Sequence, residues 1–422
     1  MIQALVERDI FSRRESAVRS YCRSFPAVFT RARGALLEAE DGRTWIDFLS
    51  CAGALNYGHN DPPLKQAVLE HLAADAPLAT LDLHTAAKRA FLHSFEERIL
   101  MPRRLDYLVQ FTGPTGTNAV EAAFKLARKA TGRSTILSFT NGYHGMSLGA
   151  LAATGNAFAR AGAGVPLPHV AFAPFDDYDH QGDQLDALAR RLDDPSGGLD
   201  LPAAAIVETV QGEGGCRAAS WSWLRRLADL LRARGILLII DDIQAGCGRT
   251  GTFFSWEPAG IQPDLVTLSK SIGGLGLPLA LVLMRRELDL WRPGEHNGTF
   301  RGNNLAFVAG RAALDTYWTD DAFAAGVVLR GDALRARLGA IAGQLGGMTY
   351  TGRGLLAGLR CDDPKRSAAI AQAAWERGLI IERSGPHDEV LKIMPPLNVP
   401  LEVLHEGLDR LESAACACTG NN

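Results

Sequence analysis

Two apolar runs in the middle of the chain each end in a group that could do chemistry. Residues 236–241 read Ile-Leu-Leu-Ile-Ile-Asp and end in Asp241, whereas residues 265–269 are followed by Lys270 and a glycine-rich stretch. Short runs of this composition are typical of strands buried on both faces of a parallel sheet. Ligands in such sheets bind just beyond the carboxyl ends of the strands. We therefore expect Asp241 and Lys270 to meet in one crevice.

An amine and a carboxylate that meet in this way suit pyridoxal phosphate. The lysine forms a Schiff base with the cofactor, for which it must be less basic than a free lysine. The carboxylate keeps the ring nitrogen protonated, so that the ring can accept electrons. A helix N-terminus can hold the phosphate, and Gly116 and Thr117 open a helical pattern after Gly113. Taken singly, the same residues could be solvated strand ends and an ordinary capped helix.

A competing motif lies between the two strands. Residues 246–251, Gly-Cys-Gly-Arg-Thr-Gly, fit the dinucleotide-binding fingerprint and follow a strand. That fingerprint also requires a helix directly after it and an acid at the end of the next strand. The residues that follow are aromatic and stop at Pro258, and Asp264 precedes a strand instead of ending one. The context therefore argues against a nicotinamide-dependent enzyme.

The elements around these residues alternate between strands and helices, which predicts an α/β layer fold. We predict strands at 107–111, 135–139, 204–208, 236–241, 265–269 and 279–283. We predict helices at 118–130, with a Glu121–Lys125 pair, and at 221–234. The last hundred residues suggest a smaller α+β unit, which an antiparallel piece near the N-terminus joins. We divide the chain into an N-terminal segment of the small domain at 1–60, a large cofactor-binding domain at 61–315, and the C-terminal small domain at 316–422.

Composition and charge exclude several classes of protein. The net charge of −3 over 422 residues lacks the basic footprint of a nucleic-acid binder. The longest apolar run, near residues 275–284, is too short for a membrane span, and the charged N-terminus does not resemble a signal peptide. The seven cysteines are irregularly spaced, which favours a reducing compartment, and we expect a cytoplasmic protein. Cys416 and Cys418 make an incomplete metal site, so we expect no metal.

With these residues in view, the chain resembles the class III (ω-amino) aminotransferases of pyridoxal-phosphate fold type I over essentially its whole length. The resemblance implies a large domain with a mostly parallel sheet covered by helices, and a smaller α+β domain built from the two chain ends. The motifs that carry it are Asp-Asp-Ile-Gln-Ala-Gly at 241–246, Ser-Lys-Ser at 269–271, Val-Glu-Thr-Val-Gln-Gly-Glu-Gly-Gly at 207–215, and Asn-Gly-Tyr-His-Gly at 141–145.

The resemblance also implies roles for individual residues. Lys270 resembles the Schiff-base lysine that moves the proton, and Asp241 the partner of the ring nitrogen. Ile243 and Tyr143 would pack on the two ring faces, and Gln244 would hydrogen-bond the phenolic oxygen. The other implied cofactor contacts are Gly116, Thr117, His144, Glu208 and, from the neighbouring subunit, Thr299. Because that threonine crosses between subunits, the resemblance implies a homodimer or higher oligomer with shared active sites.

For the substrate, the resemblance implies Glu213 and Lys392. Glu213 matches a glutamate that masks a carboxylate-binding arginine, but Lys392 stands where that arginine is expected. Lysine offers a point charge instead of a bidentate fork. Further stretches, among them residues 18–25 and 295–304, resemble the members that move the amino group of L-glutamate to L-aspartate 4-semialdehyde. The implied products are L-2,4-diaminobutyrate and 2-oxoglutarate, so the partners are small amino and oxo acids.

Three alternatives to that reaction remain open at this point. One is another ω-amino acid transaminase, of the ornithine or 4-aminobutyrate type. A second is a racemase or aminomutase on the same fold. A third is a non-catalytic regulator that binds the cofactor, although such proteins usually carry an added DNA-binding segment that is not recognisable here.

Overall fold

A computed structural model describes residues 9–178 and 184–418, and it has the expected α/β architecture. Residues 1–8, which belong to the predicted N-terminal segment and to the signal-peptide argument, lie outside the described residues, as do the four that follow Cys418. The strands are β1 (Phe29–Arg33), β2 (Leu36–Ala39), β3 (Thr44–Asp47), β4 (Tyr107–Phe111), β5 (Ile136–Phe139), β6 (Val170–Ala173), β7 (Ala204–Val207), β8 (Val210–Gln211), β9 (Arg217–Ala218), β10 (Leu237–Asp241), β11 (Leu265–Leu268), β12 (Leu281–Arg285), β13 (Met348–Arg353), β14 (Leu356–Cys361), β15 (Leu379–Ile380), β16 (Glu382–Ser384) and β17 (Val390–Ile393).

Helices cover and connect these strands. They are α1 (Ile10–Arg14), α2 (Tyr21–Ser24), α3 (Pro62–Ala73), α4 (Ala86–Phe95), α5 (Gly116–Thr131), α6 (Leu148–Ala152), α7 (Ala157–Ala161), α8 (Leu185–Asp193), α9 (Trp221–Arg232), α10 (Asn304–Tyr317), α11 (Ala322–Leu345), α12 (Pro364–Glu376) and α13 (Leu401–Ala417).

The large sheet has the strand order β4-β12-β11-β10-β7-β5-β6. It contains all six of the predicted strands, with ends shifted by up to two residues. Strand β12 pairs antiparallel with both β11 and β4, whereas β10 and β11 are parallel neighbours. The sheet is therefore mostly parallel, as expected, with β12 running against its two neighbours. The neighbouring positions of β10 and β11 bring Asp241 and the residues after Leu268 to one edge of the sheet.

The long helix α5 packs its apolar stripe against this sheet. Val120, Ala123, Phe124 and Ala127 are fully buried, as the sequence pattern predicts. The predicted Glu121–Lys125 pair is not formed, and that prediction was wrong. The carboxylate of Glu121 instead accepts hydrogen bonds from the amides of Gly149 and Ala150 at the start of α6. Unpaired amides at a helix start bind a carboxylate well, which outweighs a weak exposed ion pair.

Two smaller sheets form away from the large one. One has the order β1-β2-β3-β15 and the other the order β13-β14-β17-β16. Strand β3 from the N-terminal part pairs in parallel with β15 from the C-terminal part. A separate apolar core, which includes Phe48, Leu338, Ile370 and Leu408, fills the space between these sheets and their helices. The placement of the domain limits stays a prediction.

A left-handed turn follows β3 and points toward the large sheet. Ser50, Cys51 and Ala52 have φ angles of 47°, 50° and 54°, and Gly53 has a φ of 84°. Left-handed backbone costs roughly 1–2 kcal/mol at each non-glycine residue, so tertiary contacts must hold the turn. The carbonyl of Gly53 accepts a hydrogen bond from the Ser271 hydroxyl at 2.7 Å. The strained turn is thereby fixed beside the segment that contains Lys270.

The described residues contain neither a membrane-crossing helix nor a metal-binding cluster. Within residues 9–178 and 184–418, no helix combines the length and the apolar content that a membrane crossing requires. Over the same ranges, no group of three or more histidine, cysteine, aspartate or glutamate side chains is arranged to hold a metal ion.

Candidate functional site

Asp241 is the last residue of β10, and its carboxylate is almost completely buried. One carboxylate oxygen lies 2.7 Å from Nδ1 of His144, and the other accepts a hydrogen bond from the Thr267 hydroxyl at 3.2 Å. The backbone amide of Ile243 also donates to that second oxygen, at 3.3 Å. Because Asp241 lies opposite Thr267 in the parallel register of β10 and β11, the sheet itself fixes the direction of the carboxylate.

Lys270 follows β11 after one intervening residue, at the same edge of the sheet. Its φ angle of 52° is left-handed, and the residue opens a short 3-10 helix that ends at Gly273. Burial lowers the pKa of the Lys270 amine, although the carboxylates of Glu213, Glu382 and Asp241 act in the opposite direction. Among the residues that the structure describes, none hydrogen-bonds to this amine or forms an ion pair with it. A poorly solvated amine without a direct partner is suited to act as a nucleophile.

The N-terminus of α5 lies beside the strand end that contains Ile243. A Cβ atom added to Gly116 would lie only 2.9 Å from Cδ1 of Ile243, so a larger residue there would force the Ile243 side chain or the helix start to move. The hydroxyl of Thr117 is 2.5 Å from the hydroxyl of Ser147, and that serine donates to Glu121 at 2.7 Å. The first turn of α5 therefore presents small residues and a fixed hydroxyl, as an anion-binding helix start does.

The loop that contains Tyr143 and His144 joins the crevice on the other side. The amide of Tyr143 donates to Oε2 of Glu208 at 2.9 Å. Burial raises the pKa of Glu208 well above its ordinary value, and the charge of Asp241 raises it further. Burial likewise raises the pKa of Tyr143. His144 contacts Asp241, so the structure places it behind the carboxylate as an orienting residue.

Gln244 connects the crevice to the left-handed turn. Its amide nitrogen donates to the carbonyl of Ala52 at 3.0 Å and to Oε1 of Glu213 at 3.2 Å. Its amide oxygen is buried and has no hydrogen-bond partner within the described part of the chain. A Cβ added to Gly212 would lie 1.6 Å from that oxygen, so Gln244 can keep this position only with glycine at residue 212.

Glu213 and Lys392 form an ion pair in the same region. The Lys392 amine lies 2.7 Å from Oε1 of Glu213 and 2.8 Å from Oε1 of Glu382. Burial alone would raise the pKa of Glu213, but the charges of Lys392 and Lys270 lower it to about 2. Burial also opposes the charge of Lys392, and the two glutamates nevertheless raise the pKa of Lys392 above its ordinary value. Glu213 and Lys392 are therefore charged at neutral pH, whereas burial raises the pKa of Glu382 despite its contact with Lys392.

Thr299 lies in a different environment from the other predicted residues. It is exposed and begins a short 3-10 helix, Thr299–Arg301, in which the neighbouring Phe300 is 64% exposed. The preceding Gly298 lies against Gly113, so this loop flanks the segment that leads into α5. A role for Thr299 across a subunit interface stays a prediction.

Several contacts around the crevice were not expected from the sequence. Thr267, Ser147 and Glu121 hold Asp241 and Thr117 in place. Thr267 lies three residues before Lys270 in the same apolar run, which was a signal that the sequence offered. The parallel pairing of this run with the strand before it then places Thr267 opposite Asp241. Glu382 and Tyr21 had no comparable local signal in the sequence.

The chain is similar to known aminotransferases in both sequence and fold. The family described as aminotransferase class-III matches residues 18–415. A protein of Nocardia farcinica named diaminobutyrate–2-oxoglutarate transaminase is 55% identical over 98% of this chain and 95% of its own length. One of the same name from Halomonas elongata is 55% identical over 97% of this chain and 99% of its own. Among solved structures, the ornithine aminotransferase of Toxoplasma gondii superposes with a TM-score of 0.83 at 25% identity, covering 96% of this chain and 93% of that one.

Proposed function

The chain belongs to the class III aminotransferases, and we propose that it transfers the amino group of L-glutamate to the aldehyde of L-aspartate 4-semialdehyde. The products are L-2,4-diaminobutyrate and 2-oxoglutarate, and the reaction is reversible. The observation that carries the proposal is the convergence of Lys270 and Asp241 at one edge of the sheet, in a chain about 55% identical to diaminobutyrate–2-oxoglutarate transaminases. The same resemblance would place the reaction in ectoine biosynthesis, and that pathway stays a prediction.

The residues of the crevice fit pyridoxal 5'-phosphate. Within the described part of the chain, the Lys270 amine and the buried amide oxygen of Gln244 have no hydrogen-bond partner, and a side chain at Gly116 would press on Ile243. Lys270 would hold the cofactor and Asp241 its ring nitrogen. Gly116 and Thr117 would hold the phosphate at the start of α5, where unpaired amides face an anion. Tyr143 and Ile243 would contact the ring faces, with Glu208 supporting the loop of Tyr143.

When bound, the cofactor supplies an electron sink for the pair of electrons released as a C–H bond next to nitrogen breaks. Asp241 would keep the ring nitrogen protonated, because its carboxylate is buried and fixed by His144 and Thr267. The Lys270 amine would serve as the base and acid that moves the proton. Burial lowers the pKa of this amine, which favours its neutral, basic form.

Glu213 and Lys392 would distinguish the two substrates. L-Glutamate contains a second carboxylate, which would take the place of Glu213 beside Lys392. L-2,4-Diaminobutyrate reacts through its terminal amine, and Glu213 would then stay paired with Lys392. Lysine serves here as a point charge, so it attracts a carboxylate without fixing its plane.

The function would require two subunits. Thr299 would reach the phosphate of the neighbouring subunit, and the exposed Phe300 beside it would be covered in a homodimer. Mixing Lys270→Ala subunits with Thr299→Ala subunits should restore activity, because one of the two shared sites then contains both native residues. Without any recovery in mixed dimers, the threonine would not act across the interface. The irregular spacing of the seven cysteines suits a reducing compartment, and we place the enzyme in the cytoplasm.

The direct test is an assay of the purified chain with pyridoxal phosphate. L-Glutamate and L-aspartate 4-semialdehyde should yield diaminobutyrate, detected by amino-acid chromatography, with equal amounts of 2-oxoglutarate. Ornithine and 4-aminobutyrate serve as competing amino donors. Clear activity on either of these without diaminobutyrate formation would move the specificity elsewhere in the family. Interconversion of a single amino acid without any oxo acid would indicate a racemase or aminomutase.

A further inference from the structure

Lys392 is a fully buried cation that contacts two carboxylates at once. Glu213 and Glu382 lie 2.7 and 2.8 Å from its amine. We call Glu213, Glu382 and Lys392 the Lys392 cluster. One carboxylate would be enough to pair with the lysine, so the presence of two raises the question of what the second one does.

The two carboxylates differ in how firmly they are held. Glu382 lies directly opposite Lys392 in the antiparallel pairing of β16 and β17, and it is 7% exposed. Its other oxygen accepts a hydrogen bond from the Tyr21 hydroxyl at 3.0 Å. Glu213 instead lies in a loop, and 31% of its side-chain surface is exposed. A cavity of about 460 Å³, which Tyr21 and both glutamates line, opens onto the cluster.

We propose that Glu382 is the permanent counter-ion of Lys392, and that it allows Glu213 to be displaced by the second carboxylate of L-glutamate. This inference rests on the proposed function, since it concerns how the same site alternates between its two substrates. Glu382 does not contact the substrate in this scheme. It is a positioning residue that acts through Lys392, and Tyr21 holds it in place.

The physical reason is the cost of an uncompensated buried charge. Breaking a lone buried ion pair is strongly unfavourable, because the remaining charge has neither water nor a partner. When Glu213 swings away, Lys392 keeps Glu382 as a partner, so the open state is not left with an unpaired cation. Without Glu382, Glu213 would remain ion-paired with Lys392, and the replacement of Glu213 by a substrate carboxylate would be slow.

The test compares the two half-reactions of the holoenzyme, each followed by the absorbance of the cofactor. In Glu382→Gln, the apparent second-order rate constant with L-glutamate should fall by about tenfold or more, because the open state becomes costly. The rate constant with L-2,4-diaminobutyrate should change by less than about twofold, because Glu213 stays in place in that half-reaction. Glu376→Gln, an exposed substitution at the end of α12, is the matched control and should change neither rate.

A second substitution separates this role from a purely structural one. Adding Glu213→Gln to Glu382→Gln removes the ion pair between Glu213 and Lys392. The rate constant of the glutamate half-reaction should therefore be higher in the double variant than in Glu382→Gln alone. The double variant should also bind glutarate, an unreactive dicarboxylate, more tightly than Glu382→Gln does in calorimetry. Tyr21→Phe, at the protein surface, should slow the glutamate half-reaction by about threefold and spare the other. Melting temperatures verify that the variants are folded.

The possible results bear on different claims. Equal losses in both half-reactions, or no change in the glutamate half-reaction for both Glu382→Gln and Tyr21→Phe, would overturn the role of Glu382. A wild-type protein that reacts with neither amino acid would instead overturn the proposed function itself.

Discussion

His144 lies 2.7 Å from the Asp241 carboxylate, and both side chains are almost completely buried. A histidine in this position fixes the rotamer of the acid and the location of its negative charge. Orienting contacts of this kind typically change affinity or activity by about 10–100-fold when they are lost. The pair therefore places an orienting histidine directly against the acid that would hold the ring nitrogen of the cofactor.

We predict that His144→Ala lowers kcat by at least about tenfold and weakens the binding of pyridoxal phosphate. Asp241 would keep its charge but lose one of its directing contacts. Titration of the apoenzyme with the cofactor measures the affinity, and steady-state assays measure kcat. His405→Ala, on the exposed face of α13, is the control. Unchanged kcat and affinity in His144→Ala would show that Thr267 and the Ile243 amide suffice to orient Asp241.

A second prediction concerns the close approach of Gly116 to Ile243. In Gly116→Ala, the new methyl group would lie 2.9 Å from Cδ1 of Ile243, so one of the two must move. We expect cofactor affinity to fall by about tenfold, since the start of α5 is displaced from the crevice. Adding Ile243→Val removes the clashing carbon and should restore most of the affinity. If the double variant bound no better than Gly116→Ala, the contact with Ile243 would not be the cause.

Asp242 should make the stability of the fold depend on pH. Burial raises the pKa of its carboxyl to about 7, and hydrogen bonds from Ser255 only partly oppose that effect. A raised pKa in the folded state means that the stability contributed by the protonated acid is complete below the unfolded pKa of about 4. It is lost as the pH rises through about 7.

We therefore expect the free energy of unfolding of Asp242→Asn, relative to the native chain, to rise between about pH 5 and pH 8. The expected change is on the order of 3 kcal/mol. Chemical denaturation at several pH values measures it. Parallel pH profiles for the two proteins would contradict the raised pKa.

The residues that the sequence predicted best are those whose position follows from local pattern. Asp241 and Lys270 end recognisable apolar strands, so parallel pairing of neighbours was enough to bring them together. The family and the cofactor predicted from those motifs are confirmed by the comparisons. The Glu121–Lys125 prediction was wrong because the spacing rule for ion pairs applies to an isolated helix. In the folded chain, the backbone amides at the start of α6 are better hydrogen-bond donors to Glu121 than Lys125 is.

Glu382 and Tyr21 show what a local pattern cannot provide. Glu382 reads as an ordinary acid between Ile381 and Arg383, and its burial depends on the antiparallel pairing of β16 with β17. Tyr21 reaches it from the other end of the chain. Contacts that depend on the joining of distant segments leave no signature in the spacing of neighbouring residues.

The central claim is that Lys270 holds pyridoxal phosphate in the crevice that it shares with Asp241. Borohydride reduction of the holoenzyme, followed by peptide mass spectrometry, tests this claim without any substrate. We predict a pyridoxyl-phosphate adduct on the peptide that contains Lys270, and no such adduct in the Lys270→Ala variant. An adduct on a different lysine of the native chain, or one that persists in the variant, would contradict the assignment.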